Sequence, residues 1–292
     1  MTDTTATRAI PRKRSKRARP KPDAWAWAGI IIVILGLGLA LIGPFIAPYN
    51  VGQIVGDVFD PPSDQSLLGT DVLGRDILTR LLYGAQLTVG VALAATVLGF
   101  LLGMAIGFSA AEIRGRYDDF VTWLLDVFLS FPPILLALIV IAALSSDLWV
   151  LICTIAVIHA SRVGRVGRAV AMNIAALEFV EVARARGEKL TSILVREIWP
   201  STIRPLAVEF GLRLTYSILF LSSLSFLGLG IQPPDADWGS MVRENLNALQ
   251  RGAYLAVLAP AFSIAILTVG VNLIVDWLGS QSGRSISKEL TG

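Results

Sequence analysis

Residues 178–200 read EFVEVARARGEKLTSILVREIWP, a run crowded with glutamate, arginine and lysine and divided by one glycine, Gly187. In the chain as a whole only 16% of residues are charged and 54% are hydrophobic. The mean hydropathy of +0.67 lies well outside the range of soluble domains. The charge therefore marks a place where the chain leaves an apolar medium, and the flanking sequence identifies that medium.

Uncharged runs occupy residues 24–56, 81–111, 127–146, 214–234 and 252–275. Each can hold the roughly 20 helical residues that cross about 30 Å of hydrocarbon. They predict an all-α integral membrane protein with spans near 27–47, 86–110, 122–145, 212–230 and 254–276. A further uncharged stretch, 148–161, is too short to cross alone. Arg162, Arg165 and Arg168 follow it at intervals of three and share one helix flank. Arginines so placed can snorkel toward head groups, which extends this span to about 148–167 and brings the total to six.

Loop charge agrees with six. Residues 48–84 carry Arg75 and Arg80 against Asp57, Asp60, Asp64, Asp71 and Asp76. The segment from Arg162 to Arg204 carries eight basic residues against four glutamates. Basic segments stay on the cytoplasmic side, and a five-span reading would put this one outside, on the same side as the acidic loop. The basic run PRKRSKRARPK, within a tail at 1–24, could touch nucleic acid. Beside a span it reads instead as a topological anchor near membrane lipid, with no nucleic-acid partner. A cleavable signal peptide is a poor fit, because the apolar stretch after Trp25 is too long. The organisation is thus a cytoplasmic tail 1–24, a membrane body 25–278 and a second cytoplasmic tail 279–292.

Two further patterns concern packing. Ala95, Gly99, Gly103 and Gly107 recur every four residues and make a smooth stripe along the second span, suited to close approach of another helix. Pro132 and Pro133 interrupt the third span.

Within the opening stretch, Glu178 to Arg186 favours helix. Phe179, Val182, Ala183 and Arg186 approximate one face, and Glu178, Glu181 and Arg184 another. Gly187 offers the backbone freedom that ends a helix, and Pro200 resets the chain before the next span. A short helix with a mixed apolar and charged face suits either a soluble partner or the lipid interface.

Longer motifs decide between these. EVARARG followed by REIWP resembles the EAA motif of the membrane subunits of bacterial ABC importers, with Glu181, Val182 and Ala183 on the EAA positions, Gly187 on its glycine and Ile198, Trp199 and Pro200 closing it. Val182 and Trp199 replace smaller residues of the motif. SLLGTDVLGRDILTRLLYGAQLTVG at 66–90 and SFLGLGIQPPDADWGSMVREN at 225–245 resemble passages of the oligopeptide and dipeptide permease C subunits. The resemblance covers residues 27–278, while the ending GSQSGRSISKEL departs from that family.

It implies a type I ABC importer permease fold with a cytoplasmic coupling helix. Glu178, Glu181, Ala183, Arg184, Arg186, Gly187 and Pro200 would couple it to an ATPase. Asp237, Trp238 and Gly239 would lie in an external loop, Trp238 as an exposed anchor for a receptor or for lipid. The implied partners are a homologous B-type permease subunit, two ABC ATPase subunits and an extracytoplasmic solute-binding protein. Peptides or peptide-like solutes are the implied cargo, with nickel and glutathione as alternatives.

The residues themselves limit the chemistry. GxxxxGK[ST] does not occur, so ATP hydrolysis, with its magnesium, is expected on the partners rather than on this chain. One cysteine, Cys153, and one histidine, His159, cannot build the usual zinc clusters. Asp126 and Asp276 lie near span ends and read as anchors. An ion-coupled carrier, which would want buried acids or an internal repeat, is the rival transporter class; a membrane scaffold is the rival outside transport.

Overall fold

The computed structural model describes residues 23–189 and 192–290, so residues 1–22 of the basic tail lie outside the described residues. The helices are α1 (Ala24–Ile46), α2 (Ile77–Ile113), α3 (Gly115–Ser130), α4 (Pro133–Ala143), α5 (Leu148–Ala175), α6 (Glu178–Ala185), α7 (Trp199–Phe226), α8 (Trp238–Glu244) and α9 (Leu255–Leu290). A π-helical turn, Ile193–Ile198, runs into α7, and a 3₁₀ turn, Leu246–Arg251, follows α8. Among the described residues extended pairing is confined to two isolated bridges, Ile54 with Arg75 and Thr70 with Asp76.

Among the described residues five helices are long and apolar enough to cross a membrane: α1, α2, α5, α7 and α9. The third span expected at 122–145 is instead α3 and α4, bent by 87°, and makes a sixth only if the pair counts as one. Pro132 and Pro133 supply no N–H groups, so the ladder stops at Ser130 and restarts when Leu136 donates to the Pro132 carbonyl at 3.2 Å. The fourth span, doubtful by length, is sound: α5 continues to Ala175.

At the start of α7 the chain does not break at Pro200 either. Proline has no N–H to give the carbonyl four residues back, and its ring crowds that carbonyl. Widening to a π turn removes the conflict, and Trp199 donates to Leu194, five residues back. Pro200 then sits in the first turn of α7.

Helix α2 is the spine. It packs on α1, α3, α5, α7, α8 and α9, and most extensively on α5. The small-residue stripe lies in the α2–α5 contact. A Cβ added to Gly99 would stand 2.6 Å from the Ala156 carbonyl oxygen, one on Gly103 2.6 Å from that of Ala160, and one on Gly107 2.3 Å from that of Gly164. Ala156, Ala160 and Gly164 are themselves four apart, so the helices meet backbone to backbone along two matched stripes. Ala95 extends the contact and is fully buried. On the next side Thr96 donates to Ser217 of α7 at 2.7 Å, and Phe100 meets Phe210 edge to face at 5.4 Å. Helix α1 presents Ile31, Ile34, Leu35, Leu41 and Phe45 outward, as a lipid-facing helix should.

Gly90 of α2 has no neighbour within 4 Å of a built Cβ, unlike Gly103. Gly103→Leu is therefore expected to cost about 3 kcal/mol, the upper end of overpacking penalties, while Gly90→Leu stays near wild type. Thermal unfolding of the two purified variants in detergent checks this; equal melting temperatures would show that α5 does not depend on the stripe.

Candidate functional site

The opening stretch folds as α6 and a turn. Val180 and Ala183 are fully buried and pack with Phe108 and Ala111 of α2, Ala175 of α5 and Ile193 and Ile198 of the π turn. Glu178, Phe179, Glu181, Val182 and Arg186 are exposed, and Val182 keeps 53% of its surface. Glu178 and Glu181 stand in the first turn, where the helix dipole favours carboxylates.

Two devices hold α6 in place. Gly187 has φ of +74°, its N–H donates to Arg184 at 2.9 Å, and Glu188 donates to Ala183 at 3.2 Å. This pair of bonds is a Schellman turn, which needs the left-handed conformation that glycine adopts without strain. Arg186 and Ser192 close the turn by donating to the two oxygens of Glu188, at 2.7 and 3.0 Å, and hold that carboxyl below its usual range.

The second device is an ion pair. Arg184 donates from Nε and Nη2 to the two oxygens of Glu112 at 2.9 and 2.6 Å, and from Nη1 to the Ala175 carbonyl at 3.2 Å. The Glu112 carboxylate holds the guanidinium above its ordinary pKa, although partial burial acts against this. Glu112 is 6% exposed at the last turn of α2. One arginine thus clamps α6 to the ends of both α2 and α5.

At the opposite end of α2, the loop before it and the helix α8 form a polar knot. Asp76 caps α2 by accepting from Thr79 N at 2.7 Å and also accepts from Ser66 Oγ at 2.6 Å. Arg80, with a fully buried side chain, reaches Asp71 and Glu244, each at 2.7 Å. Arg75 reaches the same two carboxylates at 2.7 and 2.9 Å, so four opposite charges balance in one buried cluster. Asn245 accepts from Val72 N at 3.0 Å and donates to the Met241 carbonyl at 2.8 Å.

Trp238 wedges between α8 and α2 with 3% of its surface exposed. Its indole donates to the Leu81 carbonyl at 3.0 Å, and its backbone N–H donates to Thr88 Oγ1 at 3.0 Å. Asp237 caps α8 by accepting from Gly239 and Ser240 N–H groups at 2.9 and 3.2 Å, and burial pushes its carboxyl above the usual range. Gly239 lies against the Ser222 carbonyl, where a Cβ would come within 2.4 Å.

A family model described as a binding-protein-dependent transport system inner membrane component matches residues 99–288, which hold α6, its Schellman turn and both residues of the Arg184–Glu112 clamp. The chain belongs to this family. The permease is 38% identical, over 75% of its length and 74% of the other chain, to a Brucella suis permease protein named for a peptide transport system. It is 34% identical to the dipeptide transport system permease protein DppC of Alkalihalophilus pseudofirmus, over 74% of its length and 71% of the relative's. It is also 34% identical to the glutathione transport system permease protein GsiD of Escherichia coli O6:K15:H31, over 82% and 79%.

Several expected site residues stand elsewhere than on the surface of the permease. Ala183 was expected on the outward face with Phe179 and Val182, but it is the residue on which α6 seats. Arg184 is turned inward by Glu112. Asp237, Trp238 and Gly239 are buried, so Trp238 is neither an exposed docking anchor nor a lipid anchor; Asp235 is the exposed neighbour. Its burial follows from its two donors, each of which finds an acceptor on α2.

Glu112 and the Asp71–Arg75–Arg80–Glu244 cluster were not singled out by sequence. Their signal was available: Arg80 and Glu112 are the charges that flank the uncharged run 81–111. Charges so close to a span need partners. Of the remaining acids, Asp126 pairs with Arg165 and Asp276 is exposed.

Removing one partner of a buried charge cluster leaves the others uncompensated, at a cost of about 3–5 kcal/mol. Glu244→Ala is expected to destabilise the permease on this scale, and Asp64→Ala, in the same acidic loop but exposed, by less than about 0.5 kcal/mol. Thermal melts of both variants, paired with limited proteolysis of the 48–76 loop, measure the difference. Equal melts would mean that the cluster contributes little.

Proposed function

We propose that this permease is one of two paired membrane subunits of an ATP-driven importer for peptides or peptide-like solutes, and that α6 is the helix gripped by an ATPase subunit. The observation that carries this is the division of α6. One face is fixed by Val180, Ala183 and the Arg184–Glu112 clamp, while Phe179, Val182, Glu178 and Glu181 stand free of the fold. A helix held this rigidly, with apolar side chains left in water, is built to receive force from a soluble partner. Displacement of α6 would pass through Glu112 into α2 and through the Ala175 carbonyl into α5.

In this reading the partners are a B-type permease subunit, two ABC ATPase subunits that bind ATP and magnesium, and an extracytoplasmic solute-binding protein. The basic segment containing α6 faces the cytoplasm with both termini, and the acidic 48–76 loop and the α8 knot face outward. The relatives are named for a dipeptide system, a peptide system and a glutathione system. Glutathione is itself a small peptide-like acid, so one substrate chemistry covers them. A carrier driven by ions would leave the exposed apolar face of α6 without a use.

The test is reconstitution of the permease with its partner subunits in proteoliposomes, followed by ATP hydrolysis and solute uptake. Val182→Glu puts a charge on the docking face, away from the fold. It should leave the melting temperature of the isolated permease unchanged while ATPase subunits no longer copurify and uptake falls to background. Full copurification and uptake in Val182→Glu would remove α6 from the interface.

Gly187→Ala separates backbone from contact, because a Cβ there meets nothing within 4 Å while the φ of +74° costs about 1–2 kcal/mol for alanine. Uptake should fall with ATPase association retained. Wild-type uptake would show that the turn's geometry is not needed.

A further inference from the structure

The break between α3 and α4 lies beside unusual charges. Arg162 of α5 lines a cleft with Phe128, Phe131, Pro133, Leu136 and Ile158 at the bend. It forms no ion pair or hydrogen bond among the described residues, and its side chain is exposed. One turn further, Arg165 pairs with Asp126 of α3, and the two side chains remain 58% and 53% exposed. Phe131, at the non-helical link itself, is 55% exposed.

Depth makes these exposures informative. Arg162 stands 14 residues beyond Leu148, the first residue of α5. At 1.5 Å per residue this is about 21 Å into a layer about 30 Å thick. Irregular backbone is not tolerated against hydrocarbon, whereas an arginine about 9 Å short of the far boundary can still reach head groups, so the broken link rather than the charge marks a face that lipid does not cover. The exposed charged trio stands on the same face as the broken link, with Arg162 beside Phe131 and Pro133. The adjoining groove of α4 and α5 differs: Leu144, Trp149, Val150, Cys153 and Val157 make it apolar.

We infer that the face carrying Asp126, Arg162 and Arg165 lines the water-filled path of the importer, and that Arg162 meets the carboxylate of the solute passing the α3–α4 bend. Asp126 neutralises Arg165, which leaves Arg162 as the cation available there. Its planar fork matches a carboxylate in two parallel hydrogen bonds. Peptides and glutathione carry such a group, so the ligand half of the inference rests on the proposed transport of peptides, and the path half does not.

The experiment uses the assembled importer in proteoliposomes, with Cys153→Ala as background. Arg162→Cys should react with a water-soluble cationic methanethiosulfonate, whereas Val157→Cys in the apolar groove should react far more slowly. An unreactive Arg162→Cys in an assembled complex overturns the path assignment, whatever the solute proves to be.

The ligand half is read from uptake at saturating loaded binding protein. Loss of one charged hydrogen-bonded contact predicts about a tenfold fall for Arg162→Gln, with solute-stimulated ATP hydrolysis retained. Arg162→Lys should keep most of the uptake. Equal loss in the Lys and Gln variants, or no loss in Gln, overturns the role of the positive charge while leaving the labelling result to stand by itself.

Discussion

The structure depends on the contact of α2 with α5, backbone against backbone. Helices in a bilayer gain nothing from hiding apolar surface from lipid that is equally apolar, so they adhere through close packing. Here the Ala160 and Gly164 carbonyls lie so near Gly103 and Gly107 that any side chain would displace a helix. This contact lets one helix, α2, touch six others. It also sets the distance between the two ends of the molecule at which polar work is done.

Those ends use the same physics differently. At one, the Arg184–Glu112 pair is small, partly wet and reaches two helix ends, so α6 is fixed in position yet open on its outer face. At the other, Asp71, Arg75, Arg80 and Glu244 are almost wholly enclosed and tie α8 to the start of α2. Burial on that scale makes each charge dependent on the other three. With Trp238 seated on the Leu81 carbonyl, α8 and α2 form one unit. The proposed stroke therefore enters α2 at Glu112, and α8 follows it at the far end.

Five span positions, the α2 stripe, the turn at Gly187 and the family were legible in the sequence, because each rests on a local pattern: hydrophobic length, a spacing of four, a glycine after a charged helix. What stayed hidden is tertiary. Which face of α6 looks outward depends on Glu112, 72 residues away from Arg184. That Trp238 is buried depends on Thr88 and Leu81 as acceptors. The prolines at 132 and 133 announced an interruption, but not the 87° bend between α4 and α3, which pairs with α5 through Asp118 and Arg168.

The claim that force enters α2 through the Arg184–Glu112 clamp is tested most directly by a double-mutant cycle read as solute moved per ATP hydrolysed. Glu112→Gln, Arg184→Gln and the pair together are compared in reconstituted importer, alongside ATPase association. If the clamp is one unit, each single variant lowers the ratio as much as the double does, while hydrolysis and association persist. Independent, additive losses, or an unchanged ratio in all three, would contradict it.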